Sequence, residues 1–207
     1  MYSRLLNICA FIFKLFNGSP KVIGQDNIKK ASHPAIFAVT HRSATDPFYL
    51  AIAARPHVIA FMAKESLFRF KPLAWLLNKV HVFPVNREKP STKVIKHAVN
   101  VLKNSDHYLG IFPTGSRYSE EIKGGTALIQ KMAKVDIIPV AIQPPKDAAA
   151  FFSRKQAAIA FGEPIVYQPD LKYSKEELLH IDASLKEAFD ALDKALDPTY
   201  TYTISKS

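Results

Sequence analysis

Short apolar segments alternate with amphipathic segments along most of the chain. Apolar runs rich in β-branched and aromatic residues predict strands at residues 21–24, 35–40, 58–63, 81–85, 108–112, 137–142 and 157–161. Apolar residues at helical spacing predict helices at residues 47–54, 91–103, 124–133 and 174–196, and an amphipathic region at 65–79. This alternation predicts an α/β fold: a single domain with a largely parallel central sheet flanked by helices.

Two details of the pattern refine the prediction. Pro84 lies inside the predicted strand 81–85 and confines that strand to a sheet edge or a bulge, because proline cannot donate a ladder hydrogen bond. Within the amphipathic region, Trp75, Leu76 and Leu77 are predicted to be packing residues or part of an apolar wall.

The first 17 residues are predicted to form an amphipathic helix that lies in a membrane interface. Their apolar part runs from Leu5 to Phe16, contains Asn7 and Lys14, and is shorter than the roughly 20 residues that a membrane span needs. On a helical wheel the polar residues fall within about 140° of one another and leave a broad apolar face. A helix that covers the sheet and a secretory signal are the alternatives. Residues 18–207 form the predicted globular domain.

Composition narrows the classes of partner. The formal net charge of +10 and the pI near 9.6 favour an anionic partner, such as nucleic acid, an acidic membrane surface, a phosphorylated substrate or an acidic carrier protein. Nucleic acid is disfavoured, since no recognised reading motif or aromatic–basic interleaving is found. The single cysteine, Cys9, excludes an internal disulfide, and the seven histidines include no pair at the helical spacing of zinc ligands. No metal is expected.

The segment from His41 to Asp46 lies between a predicted strand and a predicted helix. The two residues are five apart, so in a helix their side chains would diverge by about 140°, and in a strand they would point to opposite faces. They can meet only if residues 41–46 form a turn. In such a turn, the Asp46 carboxylate can accept the Nδ1 proton of His41, which leaves Nε2 free to take a proton from a hydroxyl. Alternatively, Asp46 is only the N-cap of the helix that begins near Pro47.

The loop that follows the strand at 108–112 has the residue types that bind an anion. Gly115 allows close approach of the backbone, Thr114 and Ser116 offer hydroxyls, and Arg117 can hold a phosphate with two parallel hydrogen bonds. Lys123 lies near in sequence and can add positive charge. If the strands are parallel, this loop, His41 and Arg87 share one edge of the sheet.

Together these blocks resemble the 1-acyl-sn-glycerol-3-phosphate acyltransferase family. Four blocks match in order: Thr40–Asp46 resembles Asn-His-x-x-x-x-Asp, Val82–Arg87 resembles a second block ending in arginine, Phe112–Arg117 resembles Phe-Pro-Glu-Gly-Thr-Arg, and Ile137–Val140 resembles a proline-containing fourth block. Three positions depart from the pattern: Thr40 replaces an asparagine, Asn86 stands where aspartate is common, and Thr114 occupies the glutamate position.

The resemblance implies a mechanism that needs no cofactor. His41, oriented by Asp46, would deprotonate the sn-2 hydroxyl of 1-acyl-sn-glycerol 3-phosphate, which attacks the thioester of acyl-CoA or acyl carrier protein and gives phosphatidic acid. The acceptor phosphate would be held by the loop of Thr114, Gly115, Ser116 and Arg117, with Arg87, Lys64 and Lys123.

The resemblance also implies a cellular location, and it leaves two alternative functions open. We expect a peripheral or monotopic enzyme on an anionic membrane surface, at the cytoplasmic face of the cell membrane. Because Thr114 departs from the family's pattern, the chain is alternatively a related acyltransferase whose acceptor is glycerol 3-phosphate or another lysophospholipid. A non-catalytic basic protein that binds membranes is the alternative from a different class.

Overall fold

The structure is a computed structural model that describes residues 1–86 and 91–202. Its helices are α1 (Tyr2–Phe16), α2 (Asp46–Ala53), α3 (Lys71–Lys79), α4 (Thr92–Asn104), α5 (Gly125–Ala133), α6 (Ala148–Phe152) and α7 (Lys175–Leu196), with 3₁₀ turns at Gln25–Lys30 and Glu65–Phe68. Its strands are β1 (Lys21–Ile23), β2 (Ile36–Val39), β3 (Ile59–Lys64), β4 (Val82–Val85), β5 (Tyr108–Ile111), β6 (Ile137–Gln143) and β7 (Ala158–Phe161).

The strands of the described residues form one seven-stranded sheet in the order β1-β7-β6-β2-β5-β3-β4. The five strands from β6 to β4 are parallel, and β7 pairs with β6 in the antiparallel direction. The predicted α/β fold with a largely parallel sheet is therefore confirmed. β4 lies at the sheet edge, as Pro84 predicts. Helix α6 and the two 3₁₀ turns were not predicted.

Helices cover both faces of the sheet, which explains the continuous apolar runs of its strands. Successive residues of β2 show this arrangement: Phe37 belongs to the core beneath α1 and α2, whereas Ile36 belongs to the core beneath α4, α5 and α7. All four residues of this strand are fully buried.

The apolar face of α1 is divided between the core and the solvent. Leu6 is buried, and the ring of Phe13 packs edge-on against Tyr49 of α2 at 5.0 Å. The buried Asn17 fixes the end of the helix, because its side chain accepts a hydrogen bond from the Tyr49 hydroxyl (2.6 Å) and donates to the Lys155 carbonyl (2.7 Å). The outer side of the helix exposes large apolar side chains: Ile8, Phe11, Ile12, Leu15 and Phe16. Thus α1 covers the core and also presents an exposed apolar stripe, at whose end Phe16 packs edge-on against Phe152.

The amphipathic region 65–79 is less packed than its sequence predicts. Leu77 lines an apolar cavity, as predicted, but the prediction is wrong for Trp75 and Leu76, which are 58% and 36% exposed. Among the helices of residues 1–86 and 91–202, none combines the length and the hydropathy needed to cross a bilayer.

Candidate active site

The carboxyl ends of the parallel strands bring the predicted chemistry to one edge of the sheet. His41 lies just beyond β2, and the loop of residues 112–117 leaves the neighbouring strand β5. Their common edge confirms the expectation drawn from a parallel sheet. Arg87, which follows β4, lies outside the described residues.

Residues 41–46 form the turn that the sequence required for His41 and Asp46 to meet. Oδ2 of Asp46 accepts hydrogen bonds from the backbone N–H groups of Arg42 and Ser43, both at 2.7 Å. The same oxygen lies 3.1 Å from Nδ1 of His41. The N-cap of α2 is Thr45, so the N-cap assignment of Asp46 is wrong: its carboxylate faces back into the turn instead of capping the helix.

The contacts of the pair define which ring nitrogen of His41 is free. Asp46 is fully buried, and the imidazole of His41 lies against the ring of Phe112 with 4.2 Å between ring centroids. If Nδ1–H donates to the Asp46 carboxylate, the free lone pair of the imidazole lies on Nε2. No described residue forms a hydrogen bond with Nε2. The arrangement can therefore accept a proton at Nε2 and stabilise the resulting positive charge through Asp46.

Thr40 has a structural role at the beginning of this block. Its hydroxyl oxygen accepts a hydrogen bond from the backbone N–H of Ile142 at 2.9 Å. It therefore extends the pairing of β2 with β6 past the last residue of the strand, where the family's pattern has an asparagine.

The loop after β5 is tightly turned and partly satisfied by its own atoms. Gly115 adopts a φ of 67°, in the left-handed region that favours glycine, and its N–H donates to the Phe112 carbonyl at 2.9 Å. The hydroxyl of Thr114 donates to the backbone carbonyl of Ser116 at 2.8 Å. Thr114 thus holds the loop together at the position where the family's pattern has glutamate. Oγ of Ser116 accepts a hydrogen bond from the backbone N–H of Tyr118 at 3.1 Å.

Lys123 and Arg117 supply positive charge on either side of this loop. A Cβ placed on Gly115 would lie 3.5 Å from the Lys123 ammonium, so that side chain passes directly over the glycine. The Arg117 guanidinium lies 5.6 Å from the centre of the Tyr118 ring and pairs with no carboxylate among the described residues.

A cavity of about 490 Å³ connects His41 with two of the predicted phosphate-binding residues. Arg117 and Lys64 line it together with His41. The remaining wall is mainly apolar and comes from α1, α2, β3 and the region around α3: Tyr2, Leu5, Leu6, Cys9, Ala44, Pro47, Phe48, Ala51, Phe61, Met62, Ala63, Leu67, Leu77, Val80, Val82 and Phe112.

The other predicted residues border smaller spaces. Thr114 and His41 line a polar cleft of about 100 Å³ beside α7, whereas Gly115 and Lys123 line a pocket of about 160 Å³ between β4, α4 and α5. The structure therefore places Arg117, Lys64 and Thr114 in spaces that His41 also lines, and Gly115 and Lys123 in a separate pocket, whereas Ser116 lines none of these three spaces.

Sequence reasoning missed a network that fastens the His41 turn. The Arg42 guanidinium forms a double ion pair with Asp193 of α7 and donates to the Ile142 carbonyl at 3.0 Å. Burial opposes its charge, but the hydrogen bonds and negative charge of Asp193 outweigh burial and raise the pKa of Arg42. Arg42 lies within the block Thr40–Asp46, but its partner Asp193 is 151 residues away in the sequence. No local sequence pattern could therefore identify the pair.

Two tyrosines near the C-terminus complete this network. The rings of Tyr200 and Tyr202 lie 5.0 and 5.6 Å from the Arg42 guanidinium carbon. The Tyr202 hydroxyl donates to the Arg117 carbonyl at 2.7 Å. Tyr202 therefore contacts both the turn of residues 41–46 and the loop that follows β5.

Comparison with known proteins agrees with these features. A family model described as Acyltransferase matches residues 19–143. The 1-acyl-sn-glycerol-3-phosphate acyltransferase of Streptococcus pneumoniae is 36% identical over 193 residues, which cover 93% of this chain and 73% of that protein. The Bacillus subtilis protein of the same name is 33% identical over 201 residues, which cover 95% of this chain and 99% of that one.

A solved structure shares the fold. The crystal structure of the 1-acyl-sn-glycerophosphate acyltransferase PlsC from Thermotoga maritima matches with a TM-score of 0.71 at 20% identity, covering 97% of this chain and 81% of that one. The matched family model and the two bacterial relatives together show that this chain belongs to the 1-acyl-sn-glycerol-3-phosphate acyltransferase family.

Proposed function

We propose that the chain transfers a fatty acyl group from an acyl thioester to the sn-2 hydroxyl of 1-acyl-sn-glycerol 3-phosphate, giving phosphatidic acid. The observation that carries the proposal is the pairing of His41 with the buried Asp46 at the end of an apolar cavity that also contains Arg117. A general base, a cation for the phosphate and an apolar space for a chain are the three elements that this reaction needs.

His41 acts as the general base in this mechanism. Nε2 takes the proton of the acceptor hydroxyl as its oxygen forms a bond to the thioester carbonyl carbon, and Asp46 stabilises the imidazolium. The tetrahedral intermediate then breaks its carbon–sulfur bond. The departing thiolate takes the proton back from His41, so the enzyme returns to its starting state.

Arg117 and Lys64 hold the acceptor phosphate from within the cavity, and Lys123 adds charge behind Gly115. Arg87 is proposed to join them on the strength of its position in the second sequence block. Thr114 and Ser116 contribute by shaping the loop, and Gly115 lets the backbone come close to the phosphate.

The donor is acyl-CoA or acyl carrier protein, and both are anionic partners for a chain with a net charge of +10. The acyl chain occupies the apolar cavity. Residues 1–17 associate with an anionic membrane surface through the exposed stripe of α1, and residues 18–207 form the acyltransferase domain. This makes the protein a peripheral enzyme, which we assign to the cytoplasmic face of the cell membrane.

The test is radiolabelled acyl transfer with the full chain. Acyl-CoA and acyl carrier protein are supplied separately, each with 1-acyl-sn-glycerol 3-phosphate and with glycerol 3-phosphate as acceptors. We expect phosphatidic acid from the first acceptor, its loss in His41→Ala, and its retention in His97→Ala, a histidine exposed on α4.

A second acceptor remains a specific alternative, because Thr114 replaces the family's glutamate and uses its hydroxyl within the loop. Transfer to glycerol 3-phosphate alone would select that alternative. Absence of transfer to either acceptor, from protein that is folded and bound to vesicles, would contradict the proposed reaction.

A further inference from the structure

Residues 64–79 expose a group of large apolar side chains that the core does not use. Phe70 is 66% exposed, Trp75 58% and Leu67 44%, and all three lie in or beside the 3₁₀ turn and α3. Helix α3 buries none of its residues completely. An unpartnered cluster of this kind indicates an interaction surface.

The same segment is strongly basic. It carries Lys64, Arg69, Lys71 and Lys79 against one acidic residue, Glu65. Apolar side chains surrounded by basic ones match the chemistry of an anionic bilayer, in which aromatic rings enter the boundary between headgroups and acyl chains while lysine and arginine contact the headgroups.

Residues 64–79 and α1 both contribute to the wall of one cavity. Leu5 and Cys9 of α1 line that cavity, and so do Leu67 and Leu77 from the segment. Leu67 and Phe48 of α2 line the cavity and are also about half exposed, so the cavity reaches the surface at these two residues. Leu67, one of the exposed apolar side chains of residues 64–79, therefore lies at the cavity opening.

We infer that residues 64–79 are a second membrane-contacting element, which inserts Leu67, Phe70 and Trp75 into an anionic bilayer and turns the cavity opening towards the lipid. An acyl chain then passes between the bilayer and the cavity without crossing water. The inference deepens the proposed function and rests on it, because only a lipid substrate gives this orientation a use.

Trp75 provides a direct probe, since it is the single tryptophan of the chain. The full-length protein is mixed with vesicles that contain phosphatidylglycerol, and its emission is recorded with and without bromine-labelled acyl chains. We expect a blue shift with the vesicles and strong quenching by the bromine labels. Unshifted, unquenched emission from protein that sediments with the vesicles would overturn the inference, because α1 alone would then account for binding.

Substitutions test the role of the side chains without using activity. Leu67→Ser combined with Phe70→Ser is expected to weaken vesicle binding at least about tenfold. The control is Leu179→Ser, a leucine of α7 that is 60% exposed, for which we expect a change within about twofold. Replacing Arg69 and Lys71 by glutamine should weaken binding to anionic vesicles about fivefold for each charge and leave binding to neutral vesicles unchanged. Equal binding by the apolar double variant would contradict the proposal.

Two further measurements distinguish a failure of the membrane assignment from a failure of the proposed reaction. A shift of Trp75 emission with protein concentration in the absence of vesicles would assign the surface to a second copy of the chain and overturn the membrane assignment. Acyl transfer to a dispersed short-chain lysophosphatidate tests the reaction in the absence of a bilayer. Transfer without membrane insertion of Trp75 would therefore reject this inference and leave the proposed reaction intact.

Discussion

Arg42 and Asp193 form a double ion pair that joins the His41 turn to the long helix α7. Both side chains are largely buried, with exposed fractions of 12% and 18%. The backbone N–H of Arg42 also donates to the Asp46 carboxylate. The pair therefore connects α7 to the residue that orients His41.

We predict that Asp193→Ala destabilises the fold by about 3 kcal/mol, because it leaves the Arg42 guanidinium buried without its partner. The turnover number of the folded variant should fall about tenfold to a hundredfold as the His41 turn loses its support. Urea unfolding and steady-state kinetics check both effects. Glu187→Ala, an exposed carboxylate on the same helix, is the control and should change neither quantity appreciably. Wild-type kinetics in Asp193→Ala would show that the pair does not position the turn.

Asp46→Asn should separate the charge of Asp46 from its structural role. The amide oxygen can take the place of Oδ2 and keep both backbone hydrogen bonds, while the amide nitrogen occupies the position of Oδ1, which has no hydrogen-bond partner among the described residues. We therefore expect a folded variant whose His41 lacks the carboxylate that stabilises its protonated form.

The expected result is a kcat that falls by about 10² to 10⁴ in His41→Ala and by a smaller factor in Asp46→Asn, with little change in the KM for either substrate. Circular dichroism and urea unfolding should give near wild-type stability for Asp46→Asn. Full activity of that variant would refute the proposed role of the carboxylate.

Arg117 offers a test of phosphate binding inside the apolar cavity. We predict that Arg117→Ala raises the KM for the lysophosphatidate acceptor and leaves the KM for the acyl donor nearly unchanged, because the guanidinium has no carboxylate partner among the described residues and is available to a phosphate. Arg117→Lys should recover part of the affinity, since lysine keeps the charge but not the two parallel hydrogen bonds. An acceptor KM that does not move in either variant would exclude Arg117 from the phosphate site.

The sequence predicted the site where local spacing determined the geometry. His41 and Asp46 could meet only in a turn, and Pro84 could lie only at a sheet edge or a bulge. The structure contains both the turn and the edge strand, although the sequence had left open that Asp46 only caps the helix. The partner of Arg42 could not be predicted in this way, because Asp193 is 151 residues away and α7 meets the turn only in the tertiary fold. The exposure of Trp75 was missed for a related reason: periodicity shows that a face is apolar and does not show whether the face meets a core or a membrane.

The amino-terminal ends of two strands carry a pH-sensitive contact, whereas His41 lies beyond the carboxyl end of β2. His81 precedes β4 and His107 precedes β5, with 4.1 Å between their ring centroids. Burial, the neighbouring His107 and the N-terminal ammonium lower the pKa of His81 below its ordinary value of 6.5. The unfolded chain therefore binds more protons than the folded chain at a pH just below 6.5, and stability rises with pH in that range.

We accordingly predict that the free energy of unfolding decreases as the pH falls from 7.5 through 6.5 towards 5.5, where the unfolded state gains a proton that folded His81 resists. His107→Gln removes one of the charges that oppose protonation of His81, so this variant should lose less stability over the same interval. Urea unfolding at the two pH values measures the difference, and His180→Gln on the exposed side of α7 serves as the matched control. A pH dependence that is identical in His107→Gln and the wild-type protein would show that the two imidazoles do not interact electrostatically in the folded state.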